Sequence, residues 1–145
     1  MRILAVCLGN ICRSPAAEAA IREAIPDVEV DSAGTGAWHI GNPPNPRMVA
    51  AGERAGLDVV GAARQVRVED FDEFDLVLAM DHSNLESLEA MRPEGSRAEV
   101  RLFRTFDPDA DSDEVPDPYY EPDDAAFDEV IVMVRAAAKG LANSL

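Results

Sequence analysis

Two runs of the chain, RILAVC at residues 2–7 and DLVLAM at 75–80, are apolar at nearly every position rather than at alternate ones. Such runs read as strands buried on both faces, the condition of a parallel sheet covered by helices. Helical patterns lie between the apolar runs, as in consecutive βαβ units. Ser14–Ala24 reads as a helix with Ser14 as N-cap and Pro15 at its first position, stopped by Pro26. Val28–Asp31 reads as a second strand, and residues 32–46 as a Gly/Pro/Asn-rich loop. A helix follows from Asn45-Pro46 to about Gly56, and another is capped near Asp81. Val100–Phe103 is a short fourth strand, 104–123 a long loop, and Asp124–Asn143 a terminal helix with Phe127, Val130, Ile131 and Val134 at helical spacing. The expected fold is α/β: an open, doubly wound sheet of four parallel strands with helices on both faces, forming one domain over residues 1–145. Such sheets bind ligands at the carboxyl ends of their strands, where strand order reverses.

Charge narrows the partners. The 145 residues carry a formal net charge of −15, which argues against nucleic acid and anionic membranes as partners. The run from Asp107 to Glu114 reads as a solvated acidic loop. No stretch approaches the length of a membrane span, and no secretory signal is visible at the N-terminus. The expected compartment is the cytoplasm, where thiols stay reduced; secretion without a signal peptide is left open.

Against that acidity stands one segment suited to an anion, CLGNICRSP at 7–15, placed between the first strand and its helix. A loop this short turns successive N–H groups inward and is backed by a helix N-terminus, which together form an anion cradle. Leu8, Gly9, Asn10, Ile11, Cys12 and Ser14 would line it. Gly9 and Asn10 tolerate positive φ. Arg13 can grip two phosphate oxygens with its planar fork. Cys7 would sit at the bottom, where inward N–H groups and Arg13 favour the thiolate. Ser14 can donate to its sulfur, and Asn10 can hold the loop's shape. The combination fits nucleophilic attack on a phosphoryl group. A free cysteine at a strand end is also commonly a plain core residue; here the flanking strand, the helix and the residues inside the loop favour chemistry. Two cysteines and two distant histidines give no metal-site spacing.

The CLGNICRSP loop resembles the signature of the low-molecular-weight protein tyrosine phosphatases. DSAGT (31–35), WHIGNPP (38–44), ARQ (63–65), DFDEFDLVLAMDHSN (70–84) and DPYY (117–120) follow in that family's order. The resemblance implies hydrolysis of phosphotyrosine in protein substrates through a cysteinyl-phosphate. Asp117 of DPYY would be the general acid, held between Pro116 and Pro118 and shielded from water by Tyr119 and Tyr120. Inorganic phosphate would be product and inhibitor. No cofactor or metal is implied, since Arg13 and the N–H cradle supply the charge stabilisation. Trp38, Tyr119 and Tyr120 would wall a slot for a planar ring. Ile11 stands where arginine-phosphatase relatives carry threonine. Ser32 resembles the serine that supports Asn10. A histidine often completes that network, but Gly61-Ala62 stands in its place, implying a softer loop. His39 and His82 read as polar surface residues. Cys12 reads either as a small buried residue or as a redox partner that traps oxidised Cys7 in a disulfide.

Two other functions share parts of this pattern. Arsenate reduction on the same fold needs further cysteines to relay electrons, and none follows Cys12. A non-catalytic phosphate-binding module would have lost the nucleophile, the arginine or the acid, and all three types are present.

Overall fold

The computed structural model describes residues 1–145. In chain order the elements are β1 (Arg2–Cys7), α1 (Arg13–Ala24), β2 (Glu29–Gly34), α2 (Pro46–Ala55), α3 (Asp70–Glu73), β3 (Leu76–Ala79), α4 (His82–Met91), β4 (Glu99–Leu102) and α5 (Ala125–Ser144), with a 3-10 turn at Phe103–Phe106. The strands pair in parallel in the order β2-β1-β3-β4. Each crossover contains a helix, as parallel neighbours require.

The unbroken apolar run in β1 follows from its central place. Ile3, Ala5 and Cys7 enter one core with residues of α1, α2 and α5. Leu4 and Val6 enter the other with Phe71, Phe74 and Leu88, on the side of α3 and α4. Ile3, Leu4, Ala5 and Val6 are fully buried, and each of the three larger side chains gains about 1.5–3 kcal/mol from leaving water. A charge at Val6 would therefore break the sheet's centre. In α5, Phe127, Val130, Ile131, Val134, Ala138 and Leu141 form the buried stripe that closes the larger core. No helix is long and apolar enough to cross a membrane.

Two local expectations change, and one element was not expected. Ser14 is not the N-cap: α1 starts at Arg13, Cys12 takes the cap position without a side-chain bond, and Ser14 turns its hydroxyl back to the preceding loop. β2 continues to Gly34, so Ser32 lies on a strand, because Ala33 and Gly34 stay in register with Val6 and Cys7. The one-turn α3 has no sequence periodicity long enough to show; it is held by Asp70, whose carboxylate accepts from Arg67 N and the Arg64 guanidinium.

Strand order positions the site. β2 lies on one side of β1 and β3 on the other, so the segments leaving β1 and β3 diverge and open a crevice at their carboxyl ends. Cys7 ends β1, and Asp81 stands two residues beyond the end of β3.

Candidate active site

The segment from Leu8 to Cys12 wraps the end of β1 and enters α1. The N–H groups of Leu8, Gly9, Ile11, Cys12 and Arg13 donate to no other backbone carbonyl, and no side-chain acceptor takes them. They leave a set of donors beside the buried Cys7 sulfur. Asn10 N donates to Cys7 Sγ at 3.3 Å, and Ser14 Oγ lies 3.0 Å from the same sulfur. Asn10 is the only non-glycine residue with positive φ, at 56°, and asparagine carries that conformation better than most residues. The loop is pinned from outside: Thr35 and Gly36 donate to the carbonyls of Cys7 and Leu8, and Asn45 to that of Ile11. Gly34 makes the approach possible, since a Cβ there would lie 2.7 Å from the Leu8 carbonyl oxygen.

The Asn10 side chain is the hub of a buried network. Its Nδ2 donates to Ser14 Oγ at 2.8 Å and Ser32 Oγ at 2.9 Å, and its Oδ1 accepts from Arg64 N at 3.0 Å. Ser32 Oγ in turn donates to Glu18 Oε1 at 2.7 Å, and Arg22 holds the other Glu18 oxygen at 2.7 Å. Gly61 and Ala62 border a hollow of about 60 Å³ beside Asn10, Glu18 and Ser32. The bonds around Asn10 are thus completed by Glu18 and the Arg64 backbone, without a histidine.

Arg13 is 3% exposed. Its Nη1 donates to Asp81 Oδ2 at 2.7 Å and to the Val115 carbonyl at 3.0 Å, while Nη2 lies 3.7 Å from Asp117 Oδ2. Burial alone would push the guanidinium down; Cys7, Asp81 and Asp117 more than offset it, so its affinity for the proton is raised above the ordinary value. Asp81 also caps α4: its Oδ1 accepts from Asn84 N at 2.8 Å, and Asn84 Oδ1 accepts from Asp81 N. One carboxylate therefore fixes both a helix start and the arginine.

The segment bearing Asp117 is tied to the same end of the sheet. Val115 N donates to the Met80 carbonyl, and Arg104 donates to that of Glu114. His82 adds a bond to Asp113 at 2.9 Å, and its N–H donates to Glu114. Asp117 Oδ1 accepts from Tyr119 N at 3.1 Å, a local turn that orients the carboxylate. Its side chain is 40% exposed. The expected shielding by both tyrosines is therefore not seen, since Tyr120 projects outward at 90% exposure.

These parts enclose a cavity of about 390 Å³. Cys7, Cys12 and Arg13 lie among its lining residues; Leu8, Gly9 and Ile11 contribute from the loop; Trp38, His39, Asp117, Tyr119 and Tyr120 complete it. Tyr119 and Tyr120 meet edge to face, with centroids 4.8 Å apart. Cys12 is buried and free, like Cys7. Burial first, then the charges of Cys7 and Asp117, push its thiol up to about 12.

The structure thus gathers Cys7, Arg13, Asp117, Leu8, Gly9, Ile11, Cys12 and the three aromatic side chains at one cavity, whereas Asn10 and Ser14, expected to line it as well, turn their side chains into the network behind the loop with Ser32. Sequence reading missed Asp81, Glu18 and Arg64. Asp81 was visible only as a helix cap, and nothing local showed that its second oxygen reaches Arg13. His39, expected as a surface residue, belongs to the pocket wall, 6.2 Å from the Tyr119 ring centre. His82 is exposed as expected.

Comparison with known proteins agrees with this fold. Residues 2–145 match the family model described as low molecular weight phosphotyrosine protein phosphatase. A low molecular weight protein-tyrosine-phosphatase of Streptomyces coelicolor is 46% identical over 149 aligned positions, covering 97% of this chain and 90% of the relative. Among solved structures, a protein tyrosine phosphatase from Entamoeba histolytica with Hepes in the active site superposes with a TM-score of 0.93 at 37% identity, covering 97% of this chain and 94% of that one. A Drosophila arginine phosphatase superposes with a TM-score of 0.93 at 28% identity, covering 99% and 97%.

Proposed function

The chain belongs to the low molecular weight phosphotyrosine protein phosphatase family, and on that premise we propose that Cys7 is its nucleophile, Arg13 its phosphate clamp and Asp117 its general acid and base. The observation that carries this assignment is the set of unpartnered N–H groups around a buried Cys7 sulfur, with the Arg13 fork and the Asp117 carboxylate at the same cavity. The enzyme is a phosphoric monoester hydrolase acting on phosphotyrosine.

In the first step Cys7 Sγ attacks phosphorus. The S–P bond forms, the P–O bond to the phenol breaks, and Asp117 passes a proton to the leaving oxygen. Loop N–H groups and Arg13 stabilise the charge on the equatorial oxygens. The Ser14 hydroxyl, 3.0 Å from Sγ, stabilises the thiolate before attack and as it leaves. In the second step water attacks phosphorus, Asp117 takes its proton, and Cys7 departs with the S–P electrons as inorganic phosphate forms. Phosphate is then a product that competes for the cradle.

The depth of the cavity and its aromatic wall favour an aryl ester, which reaches the sulfur while its ring lies between Trp38 and Tyr119. The likeness to an arginine phosphatase shows that the scaffold alone does not choose between a phosphate ester and a P–N phosphoramidate. Ile11, which lines the cavity and brings no hydroxyl to the loop, supports phosphotyrosine. The test uses Cys7→Ser and Asp117→Ala. Cys7→Ser should abolish turnover and keep phosphate-ester binding. Asp117→Ala should slow phosphotyrosine far more than para-nitrophenyl phosphate, whose leaving group needs little protonation. Equal losses on both substrates remove Asp117 from the acid role.

Redox control of the same site is part of the proposal. Peroxide oxidises Cys7 to its sulfenic acid; Cys12 sulfur then attacks Cys7 sulfur, water leaves, and a disulfide remains. Burial, the first cause of the raised Cys12 thiol, persists after Cys7 is oxidised, while the Coulombic effect of Cys7, the second cause, is removed, so the Cys12 proton becomes easier to lose. The cytoplasm suits this cycle, because its thiol pool restores both cysteines. Peptide mapping after mild peroxide should recover a Cys7–Cys12 disulfide; Cys7 found only as sulfinic acid, with Cys12 free, counts against it.

A further inference from the structure

The two sides of the cavity's mouth are unlike in charge. One side comes from Leu8, Trp38 and His39, the last two in a stretch, 36–44, that contains no acidic residue, lysine or arginine. Trp38 is largely exposed, at 73%, and Ile40, two residues further along the chain, is exposed at 57%. The other side comes from the segment bearing Asp117, Tyr119 and Tyr120. Between Arg104 and Arg135 this segment holds eleven acidic residues and no lysine, arginine or histidine. Immediately after Tyr120 stand Glu121 and Asp123, both exposed, with no salt-bridge partner.

No free cation offsets them at the mouth. Arg13 is the one cationic residue in the cavity lining; it is buried and committed to Asp81 and the Val115 carbonyl. Arg47, whose charge is felt at Cys12, is held by Asp124 at 2.8 Å and the Glu121 carbonyl at 2.7 Å, and lies over the Phe127 ring. The phosphate is thus recognised only at the bottom of the site, while everything around the entrance is neutral or negative.

We propose that this site selects phosphotyrosine carried in a segment flanked by lysine or arginine and apolar residues, and discriminates against acidic flanks. The inference rests on the phosphatase reading and names its substrate class. A flanking cation gains from Glu121, Asp123 and the field of a −15 protein; a flanking carboxylate meets like charge. Apolar flanks gain from Trp38, Ile40 and Leu8. Because the rim charges are exposed, each contributes modestly and is screened by salt. Basic and acidic peptides should therefore differ in kcat/KM by about tenfold at low salt, mostly through association, and by about twofold at high salt.

The experiment compares matched phosphotyrosine peptides with lysine, alanine or glutamate on both sides of the tyrosine, with para-nitrophenyl phosphate as the flankless control. The expected order of kcat/KM is lysine, alanine, glutamate, with the spread shrinking as salt rises. Glu121→Lys combined with Asp123→Lys should collapse or reverse that order when each peptide is normalised to the control substrate, whose own anionic charge reports the general change in field. Glutamate-flanked peptides turned over as fast as lysine-flanked ones, or a preference untouched by salt and by the double variant, overturns the inference alone. Absence of turnover on the peptides and on para-nitrophenyl phosphate defeats the phosphatase reading and this inference with it.

Discussion

Replacing Asn10 by alanine should damage stability and catalysis together, by amounts the structure allows to be separated. Its side chain makes three buried bonds, to Ser14 Oγ, Ser32 Oγ and Arg64 N. At about 1 kcal/mol net for each, their loss costs about 3 kcal/mol. Alanine must also hold φ at 56°, which adds about 1 kcal/mol. Asn10→Ala should therefore lose about 4 kcal/mol, a large share of the 5–15 kcal/mol typical of a domain. Glycine loses the same bonds but accepts the left-handed backbone, so Asn10→Gly should be about 1 kcal/mol more stable than Asn10→Ala.

The catalytic effect follows from the backbone. Asn10 N donates to Cys7 Sγ only while the residue stays left-handed. Losing one preorganised donor costs about 100-fold in kcat, and Asn10→Ala should show such a loss while Asn10→Gly keeps more activity. Urea unfolding followed by circular dichroism gives the stability order, and turnover of para-nitrophenyl phosphate gives the second readout. Phosphate should raise the thermal midpoint of the wild type more than that of Asn10→Ala, because the cradle it binds is partly undone. An Asn10→Ala protein within about 1 kcal/mol of wild type, or no more damaged than Asn10→Gly in both measurements, would refute the reasoning.

Asp81→Ala should lower kcat/KM at least about tenfold and cost about 3 kcal/mol, because a buried guanidinium loses its partner and α4 its cap; Asp81→Asn, which keeps the cap acceptor, should be less destabilised at similar kinetic cost. Glu18→Gln should raise the rate of hydrogen exchange in residues 8–12 and reduce kcat more than it raises KM, since Glu18 reaches the loop only through Ser32. The Cys12 thiol, held at about 12, retains its proton in the folded state above the ordinary thiol value of 9.0. Over that window the folded state binds more protons than the unfolded state, so stability falls as pH rises, and Cys12→Ala should flatten this part of the pH–stability curve measured by urea titration. His82 follows the same sign in a lower window: the bond to Asp113, then the charges of Asp113 and Glu114, raise its proton affinity. Its contribution is present below the ordinary histidine value and fades as pH rises through the raised one, and His82→Ala should remove that limb from the stability profile.

How far the chain could be read from its sequence depended on the range of each interaction. The strands and long helices were legible because burial repeats along the chain: β1 and β3 are apolar throughout, and α5 places apolar residues every three or four positions. The loop from Cys7 to Ser14 was legible because its parts are consecutive. Asp117 was not legible from physics alone, being one Pro-flanked acid among many, and only the family resemblance placed it. Asp81 and Glu18 were illegible for another reason. Arg13 and Asp81 are 68 residues apart, and Glu18 reaches Ser32 across 14. Both appeared as ordinary features of helices, and their second contacts exist only once the strand order sets β1 between β2 and β3. The error over Ser14 has the same origin. A serine before proline suggests an N-cap, but the hydroxyl finds better partners in Asn10 and Cys7, so the helix starts without one.

That exchange shows how the acidic chain sustains an anion site. The local signals for secondary structure are set aside where tertiary partners need the same atoms: Ser14 gives up capping α1, and Asp81 divides its oxygens between α4 and Arg13. Arg13 is thereby oriented before any phosphate arrives, so less freedom is lost on binding. The cost is that Arg13 carries a carboxylate partner into the site, which reduces its pull on an incoming dianion. The loop N–H groups then have to supply much of the affinity. They lack the charge of an arginine, but they are fixed by Gly34, Asn10 and the β1–β2 register, and they are not screened by a counter-ion. Changing the loop backbone should consequently harm phosphate binding more than changing Asp81 does, a comparison that inhibition by inorganic phosphate in Asn10→Ala and Asp81→Asn measures directly. A larger rise in the inhibition constant for Asp81→Asn would reassign the main burden of phosphate recognition from the backbone to Arg13.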